Sequence, residues 1–333
     1  MPFARLLVIF LLIALLGSLA LQRCAGERQK QLSRSRILMG TVVEISAYGA
    51  DPGRLEAAVS AAFEEIARVE RLMHPTGEGS DVAHLTASSQ GAEVAPETAA
   101  VIALGLQVAT ASSGAFDMSL GRLKGLWGIE TEAPRVPALT EIRQALAGAG
   151  PDGLRLDGLR VEKTSSTLAV DLGAIAKGYA VDRAAELLRN AGIVSASINA
   201  GGDIRLIGDR NGRPWRIGIQ HPREADRQLA TMELVDVAVV TSGDYERFFE
   251  QDGVRYHHIF DPRSGYPAGR CQSVTVVTPS AALADALSTA IFVLGPEDGL
   301  ALLRLFPEAE ALIVAADGTP TVTPGLKGRL QWR

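Results

Sequence analysis

The sequence is poor in several residue types that define common classes of protein. Its 333 residues include two cysteines, Cys24 and Cys271, which are too few for a disulfide framework and too far apart for a zinc site. Aromatic residues make up 5% of the chain, and the formal net charge is −5 without any run rich in Lys and Arg. These features argue against nucleic acid as the partner. No histidine pair has HxH or HExxH spacing, which argues against a histidine-bound zinc centre.

The N-terminus carries a long hydrophobic run. Arg5 precedes a stretch without charged residues from Leu6 to Leu21, a layout that predicts a signal peptide or an N-terminal membrane anchor over residues 1–24. We therefore expect an exported protein, periplasmic or attached to the inner membrane facing the periplasm, with its N-terminus in contact with the membrane. Cys24 offers a lipidation site, although Arg23 stands where a lipobox has a small residue. Cleavage, lipidation and retention as an anchor all stay open.

The remaining chain is expected to contain a polar linker over residues 25–36 and one domain over residues 37–333. Hydrophobic residues make up 47% of the sequence, enough for a substantial core. Periodicity predicts a strand over 37–49 and helices over 54–73, 97–111, 281–293 and 298–306, with most other strands between 154 and 278. Because helices flank runs of strands instead of alternating with them, we predict an α+β sandwich.

The segment VDLGAIAKGYAVD, from Val170, is typical of a phosphate-binding turn. An apolar pair leads through small residues into a helix, whose free N–H groups and partial positive charge attract anions. Asp171 precedes this helix and Lys177 lies near its start. The alternative is that Asp171 caps the helix and Lys177 is a solvated side chain.

The segment DALSTA predicts a metal site. Asp285 and Thr289 are spaced i and i+4, which places a carboxylate and a hydroxyl on one helical face. These are hard oxygen ligands of the kind that Mg²⁺ takes, with waters and substrate phosphates completing its shell. Mn²⁺ would suit the same ligands, and a merely polar helix face is the alternative.

Two further segments carry candidate site residues. In HHIFDPRSG, strand alternation sends His257 and His258 to opposite faces, so that one of them reaches a cleft. The Gly-rich segment around Phe116 and Trp127 is long for a simple connection and is expected to line a site. Gly201 and Gly202 permit either close approach of the backbone to a ligand or a tight hairpin.

These motifs, together with MGT at Met39, SGAFD at Ser113, NAGGDI and SGDYER, occur in the order found in the ApbE family. The chain resembles this family of FAD:protein FMN transferases from about Ile37 to its last strand. The resemblance implies a T-fold-related sandwich of antiparallel and mixed sheets flanked by helices. It also implies a magnesium-dependent enzyme with FAD as substrate. Such an enzyme transfers FMN to a threonine hydroxyl of an acceptor protein, for example a subunit of an exported redox complex, and releases AMP.

The resemblance also assigns the site residues. It places FAD contacts at Met39, Ala115, Phe116, Asp117, Asp171, Lys177 and Ile259, and magnesium ligands at the Ala174 carbonyl, Asp285 and Thr289, with Ser288 as an additional contact. Phosphoryl transfer depends chiefly on positioning and on charge stabilisation, which Lys177 would supply. The acceptor hydroxyl still needs a base, and either Asp285 or His257 is the candidate.

The sequence departs from the family pattern at one point. Where the family has an aromatic residue in a segment like STYxPxSE, this chain reads HPTGEGSD, with Thr76 at the aromatic position and His74 two residues earlier. His74, Phe116 or Tyr245 could instead stack on the flavin. The departure motivates a second hypothesis, an FAD-binding flavoprotein or carrier without turnover. A third is a metal-dependent FAD pyrophosphatase, in which water replaces threonine.

Overall fold

The computed structural model describes residues 29–333, and the strands within this range pair in antiparallel fashion. In chain order, the strands are β1 (Lys30–Leu38), β2 (Thr41–Gly49), β3 (Gly91–Glu93), β4 (Leu154–Asp157), β5 (Arg160–Lys163), β6 (Ser195–Ala200), β7 (Asp203–Ile207), β8 (Trp215–Gln220), β9 (Gln228–Leu234), β10 (Ala238–Gly243), β11 (Phe248–Gln251), β12 (Val254–His257), β13 (Cys271–Thr278), β14 (Glu310–Ala315), β15 (Pro320–Val322) and β16 (Leu330–Trp332). A large sheet has the order β1-β2-β6-β7-β10-β13-β14-β15. Two smaller sheets have the orders β16-β9-β8 and β3-β5-β4, and β11 pairs with β12.

Helices cover one face of the large sheet. In chain order, the helices are α1 (Pro52–Met73), α2 (Asp81–Ala87), α3 (Pro96–Ala111), α4 (Gly121–Trp127), α5 (Leu139–Leu146), α6 (Ala176–Asn190), α7 (Ala281–Leu294), α8 (Pro296–Leu303) and α9 (Pro324–Lys327). The main core lies between the sheet and α1, α6 and α7. Helix α1 begins where the Asp51 carboxylate accepts hydrogen bonds from the N–H groups of Gly53 and Arg54.

The opposite face of the sheet packs against the β16-β9-β8 sheet. Alternation along β10 illustrates why both faces are covered, since Val240 points into the helical core while Val239 points into the second one. Trp215 and Met232 contribute to this second core from β8 and β9. The two layers of sheet and one layer of helices confirm the predicted α+β class.

A separate aromatic cluster surrounds Trp127. This side chain is fully buried against Tyr256, Phe260 and Tyr266, and its indole N–H donates to the Gly265 carbonyl at 2.9 Å. Of the segment that was expected to line a site, Trp127 therefore does not do so, whereas Phe116 and Lys124 do. Its segment forms the short helix α4, so the glycines there do not mark an open loop.

The chain differs from the sequence-based prediction near its start. The predicted single strand over 37–49 is a hairpin, in which β1 and β2 meet at a turn of Met39 and Gly40. From Lys30 onward, the predicted linker belongs to β1. Because β1 is an edge strand that is exposed on both faces, it lacks the alternation that identifies a half-buried strand.

Residues 1–28 lie outside the described range, and with them the predicted signal peptide or anchor and the start of the predicted linker. Over residues 29–333, none of the helices combines the length and the apolar composition needed to span a bilayer.

Candidate active site

A cleft of about 550 Å³ opens where the ends of β2, β7 and β10 meet the first turn of α6 and the middle of α7. It gathers residues that are far apart in the sequence. Of the residues that the resemblance assigns, those lining the cleft are Met39, Ala115, Phe116, Asp117, Asp171, Ala174, Lys177, Ile259, Asp285 and Thr289. The sequence motifs thus converge on one site.

The hairpin turn between β1 and β2 forms one rim of the cleft. Met39 and Gly40 both have left-handed backbone conformations, with φ of 53° and 69°, as a type I′ hairpin turn requires. For a methionine this conformation costs about 1–2 kcal/mol. The Met39 N–H donates to Glu70 Oε1 at 2.6 Å, and this hydrogen bond from α1 fixes the turn at the cleft.

Lys177 lies at the start of α6 and faces two carboxylates. Its Nζ is 3.0 Å from both carboxylate oxygens of Asp203 and 3.5 Å from Asp285 Oδ2. Burial lowers the pKa of Lys177, but the two carboxylates more than offset this effect and raise its pKa above the ordinary value. The Lys177 side chain is therefore a charged ammonium group that two carboxylates fix inside the cleft. This placement rules out the alternative of a solvated lysine.

Asp203 is a site residue that the sequence analysis missed. Its side chain is buried, and it begins β7 directly after Gly201 and Gly202. Burial and the nearby Asp285 carboxylate raise the pKa of Asp203 well above its ordinary value, although Lys177 opposes them. A carboxylate at the start of a strand, directly after two glycines, was the signal that could have identified it.

The donor groups next to Lys177 fit a magnesium ion. Asp285 and Thr289 from α7 and Ala174 before α6 line the same part of the cleft, and their carboxylate, hydroxyl and carbonyl oxygens are hard ligands. Two carboxylates face one ammonium group there, so a divalent cation would relieve their mutual repulsion. Within residues 29–333 no cluster of three or more acidic, histidine or cysteine ligands occurs.

Ser288 does not join these ligands. Its side chain is fully buried, with Oγ 2.9 Å from the Asp285 carbonyl and 2.8 Å from Ser242 Oγ. One residue corresponds to a rotation of about 100° around a helix, so Ser288 faces the sheet while Thr289 faces the cleft. This placement corrects the expectation of Ser288 as an additional metal contact.

The two adjacent histidines are separated as alternation predicts, but the cleft receives His258. His257 is buried, its Nε2 lies 2.9 Å from the Ala268 carbonyl, and its ring packs edge-on against Phe292. It does not line the cleft, which corrects the expectation of His257 as a catalytic base. The sequence could not decide between them because both faces of this segment are partly buried.

His258 is held by the backbone of Arg247. Its Nδ1 lies 3.3 Å from the Arg247 carbonyl, so a neutral ring with the proton on Nδ1 leaves Nε2 as an acceptor. Burial, followed by the charges of Lys124 and Arg247, lowers the pKa of His258 to about 3. The imidazole is therefore neutral at physiological pH.

Two further cations line the cleft, and each is paired with a carboxylate. Lys124 Nζ is 3.1 Å from Asp171, and Arg247 is 2.8 Å from Glu130. Asp171 also accepts a hydrogen bond from the Gly173 N–H at 2.9 Å, and it stands before the start of α6 at Ala176. It therefore stabilises the turn and Lys124 instead of capping the helix.

Of the candidate stacking residues, His74 and Phe116 line the cleft. Phe116 is buried whereas His74 is exposed, and Tyr245 and Thr76 lie outside the lining. Asp117 follows Phe116, and its buried Oδ2 is an unsatisfied acceptor, without a hydrogen-bond partner in the described part of the chain. Burial raises the pKa of this carboxyl group, and the unpaired oxygen suits a polar group of a bound ligand.

Comparison with known proteins identifies the family. The model of the ApbE family matches residues 39–313, and the chain belongs to this family. The FAD:protein FMN transferase of Treponema pallidum is 34% identical over 330 residues, covering 92% of this chain and 91% of that protein. The protein of the same name from Vibrio cholerae is 36% identical over 316 residues, covering 92% and 94%.

Solved structures give the same result. The ApbE protein of Thermotoga maritima has a TM-score of 0.83 at 36% identity, covering 90% of this chain and 99% of that chain. The flavin transferase ApbE of Vibrio cholerae has a TM-score of 0.80 at 33% identity, with the same coverage. The family and the fold predicted from the sequence are confirmed.

Proposed function

We propose that this protein transfers FMN from FAD to a threonine hydroxyl of an acceptor protein in a magnesium-dependent reaction that releases AMP. The proposal rests mainly on one cleft, which is lined by Lys177, Asp203, Asp285 and Thr289. The chain that forms this cleft belongs to the ApbE family. The names of its relatives, FAD:protein FMN transferase, support the same reaction.

The cations of the cleft bind the diphosphate of FAD. Lys177 stands at the first turn of α6, where free N–H groups add to its charge. Lys124 and Arg247 line the same cleft. When FAD binds, each gives up some of its contact with its carboxylate partner, Asp171 or Glu130, and contacts the phosphate oxygens instead. This arrangement neutralises the charge that AMP gains on the bridging oxygen when the bond between that oxygen and the FMN phosphorus is cut and the threonine oxygen takes its place.

Asp285, Thr289 and the Ala174 carbonyl hold the Mg²⁺ ion, with Mn²⁺ as a functional substitute. An ion held by these residues would supply positive charge to the phosphoryl oxygens. Lys177 keeps Asp285 in place from the other side, at 3.5 Å. Ser288 supports the helix backbone through its hydrogen bond to the Asp285 carbonyl.

His258 accepts the proton of the acceptor threonine. Its Nδ1–H is held by the Arg247 carbonyl, which leaves the Nε2 lone pair for the incoming hydroxyl. The pKa of about 3 depends partly on the charges of Lys124 and Arg247. Because bound diphosphate compensates those charges, it makes the imidazole a stronger base when the substrate is in place.

His74 stacks on the flavin ring in place of the aromatic residue that the family pattern has near this position. It is the exposed ring among the residues that line the cleft at the end of α1. Its Nδ1 accepts from the Thr76 N–H at 3.2 Å, which limits rotation of the ring.

The reaction takes place outside the cytoplasm, in the periplasm or at the outer surface of the inner membrane. The charge and hydropathy pattern of residues 1–24 supports this location. The acceptor is accordingly an exported protein, such as a subunit of a membrane-attached redox complex.

Product analysis tests the proposal. The purified protein is incubated with FAD and Mg²⁺, with and without an acceptor domain, and FAD, FMN and AMP are quantified by chromatography with an EDTA control. We expect AMP to appear with the acceptor and metal, in an amount equal to the FMN that becomes attached to protein. Free FMN without acceptor labelling would indicate a pyrophosphatase, and intact FAD would indicate a carrier.

A further inference from the structure

Helices α6 and α7 carry Lys177 and Asp285, and they touch backbone to backbone at the cleft. A Cβ atom added to Gly178 would lie 2.2 Å from the Ala281 carbonyl oxygen, so that only glycine permits this approach. The Gly178 N–H donates to Asp285 Oδ2 at 3.2 Å. The relative placement of the two helices therefore sets the position of the Asp285 carboxylate.

Asp182 secures this contact one turn further along α6. Its Oδ2 accepts from the Ala282 N–H at 3.0 Å and from Ser280 Oγ at 2.9 Å. Ser280 is the N-cap residue of α7 and also accepts from the Leu283 N–H at 3.2 Å. A carboxylate at the N-terminus of α7 is stabilised by the free N–H groups and by the helix dipole. Asp182 thus fixes the start of α7 to the side of α6.

The same carboxylate also contacts β7, the strand that carries Asp203. Asp182 Oδ1 is 3.4 Å from Nε of Arg205, a buried residue on β7. Asp203, the partner of Lys177, begins this strand two residues earlier. Asp182 therefore lies on the helix that carries Lys177 and contacts the two elements that carry Asp285 and Asp203, although it does not line the cleft.

We propose that Asp182 is a positioning residue for the metal site, which sets the geometry of Asp285 and Thr289 relative to Lys177 through its contacts with α7 and β7. The inference rests on the proposed function, because it concerns the same metal. It adds a residue that acts through the helix contact and does not itself touch metal or substrate. Loss of such supporting contacts typically weakens metal binding about 10- to 100-fold.

The test measures Mn²⁺ binding by electron paramagnetic resonance, with Mn²⁺ alone and with Mn²⁺ plus FAD, in the absence of acceptor. Asp182→Ala should weaken binding about 10- to 100-fold. Asp182→Asn keeps an oxygen that can accept from the Ala282 N–H, and should therefore lie between Asp182→Ala and the unmodified protein. Should the alanine variant fail to fold, the asparagine variant still decides, since a measurable loss of affinity is expected for it.

Asp236→Asn is the matched control. Asp236 also contacts Arg205, at 3.8 Å, and Arg189 at 2.5 Å, but it does not contact α7. Its replacement should leave Mn²⁺ affinity unchanged. Unchanged affinity in both Asp182 variants, with only a lower melting temperature, would overturn the positioning role while leaving the proposed function intact. Absence of Mn²⁺ binding by the unmodified protein would overturn the metal assignment and this inference together.

Discussion

Lys177 donates to both carboxylate oxygens of Asp203 at 3.0 Å, across 26 positions of the sequence. The Asp285 carboxylate lies 3.5 Å from the same ammonium group. Two buried carboxylates thus share one cation, and the proposed metal site depends on this arrangement.

Removing the cation should destabilise the protein more than removing one carboxylate. Lys177→Met leaves Asp203 and Asp285 facing each other and should lower the free energy of unfolding by about 3 kcal/mol. Asp203→Asn removes one of the two facing carboxylates and keeps an oxygen that accepts from Lys177, and should change stability by less than about 1 kcal/mol. Urea denaturation at pH 8 measures both values.

The double variant Lys177→Met, Asp203→Asn is the control for this prediction. It should recover most of the stability that Lys177→Met loses, because Asp285 then no longer faces a second carboxylate. Additive losses in the double variant would show that the charge balance is not the cause.

Asp285 and Ser288 should differ sharply in their effects on transfer. Asp285→Ala removes the carboxylate of the metal site, and FMN transfer should fall more than about 100-fold. Ser288→Ala removes a hydroxyl that bonds to the Asp285 carbonyl and to Ser242, and should cost less than about 10-fold. Initial rates at saturating FAD and increasing Mg²⁺ compare the two, and equal losses would contradict the placement of Ser288 outside the metal shell.

Stability should fall in acid partly because of His258. Its pKa is lowered to about 3 in the folded protein from an ordinary value of about 6.5, so between these limits the unfolded chain binds the proton more readily. The contribution of His258 is fully present above pH 6.5 and is lost as the pH falls, by on the order of 1–2 kcal/mol at pH 5.

His258→Asn isolates this contribution. His257 has a pKa lowered in the same direction by burial, so the variant should retain part of the pH dependence. The free energy of unfolding between pH 5 and 7.5 should vary less in His258→Asn than in the unmodified protein. An identical pH dependence would contradict the burial of a neutral His258.

His74 should affect flavin binding and leave the diphosphate contacts unchanged. His74→Ala removes the exposed ring at the rim of the cleft and should weaken FAD binding by about 1–2 kcal/mol, or roughly 5- to 30-fold. His74→Tyr, which supplies a larger ring, should restore or exceed the original affinity. Flavin fluorescence measures binding, and ADP affinity, followed by calorimetry, should stay constant in both variants.

Much of this site could be predicted because its parts lie in short local motifs. The spacing of Asp285 and Thr289 places them on one face of their helix, and the small-residue turn places Lys177 at the start of its helix. Both inferences hold in any fold that contains these helices. Asp203 could not be found in this way, since its role arises only when β7 is placed beside α6 and α7. Similarly, alternation separates His257 from His258, but the packing of the β11–β12 hairpin decides which one reaches the cleft.

The fold, too, was predictable only where local sequence determines the structure. Helix α1 was predictable from its cap at Asp51 and its buried stripe. Strand β1 was not, because it pairs along the exposed edge of the sheet. Likewise, the burial of Trp127 depends on aromatic residues more than a hundred positions away.

Mass spectrometry of the acceptor protein measures directly whether FMN becomes attached to a threonine. The acceptor is incubated with the purified enzyme, FAD and Mg²⁺, and an acceptor in which the target threonine is replaced by valine serves as the control. We expect a mass gain of one FMN, located on the threonine by peptide mapping and absent with EDTA, with Asp285→Ala enzyme or with the valine acceptor. An unmodified acceptor in the complete reaction, or flavin attached at the same rate without metal, would contradict it.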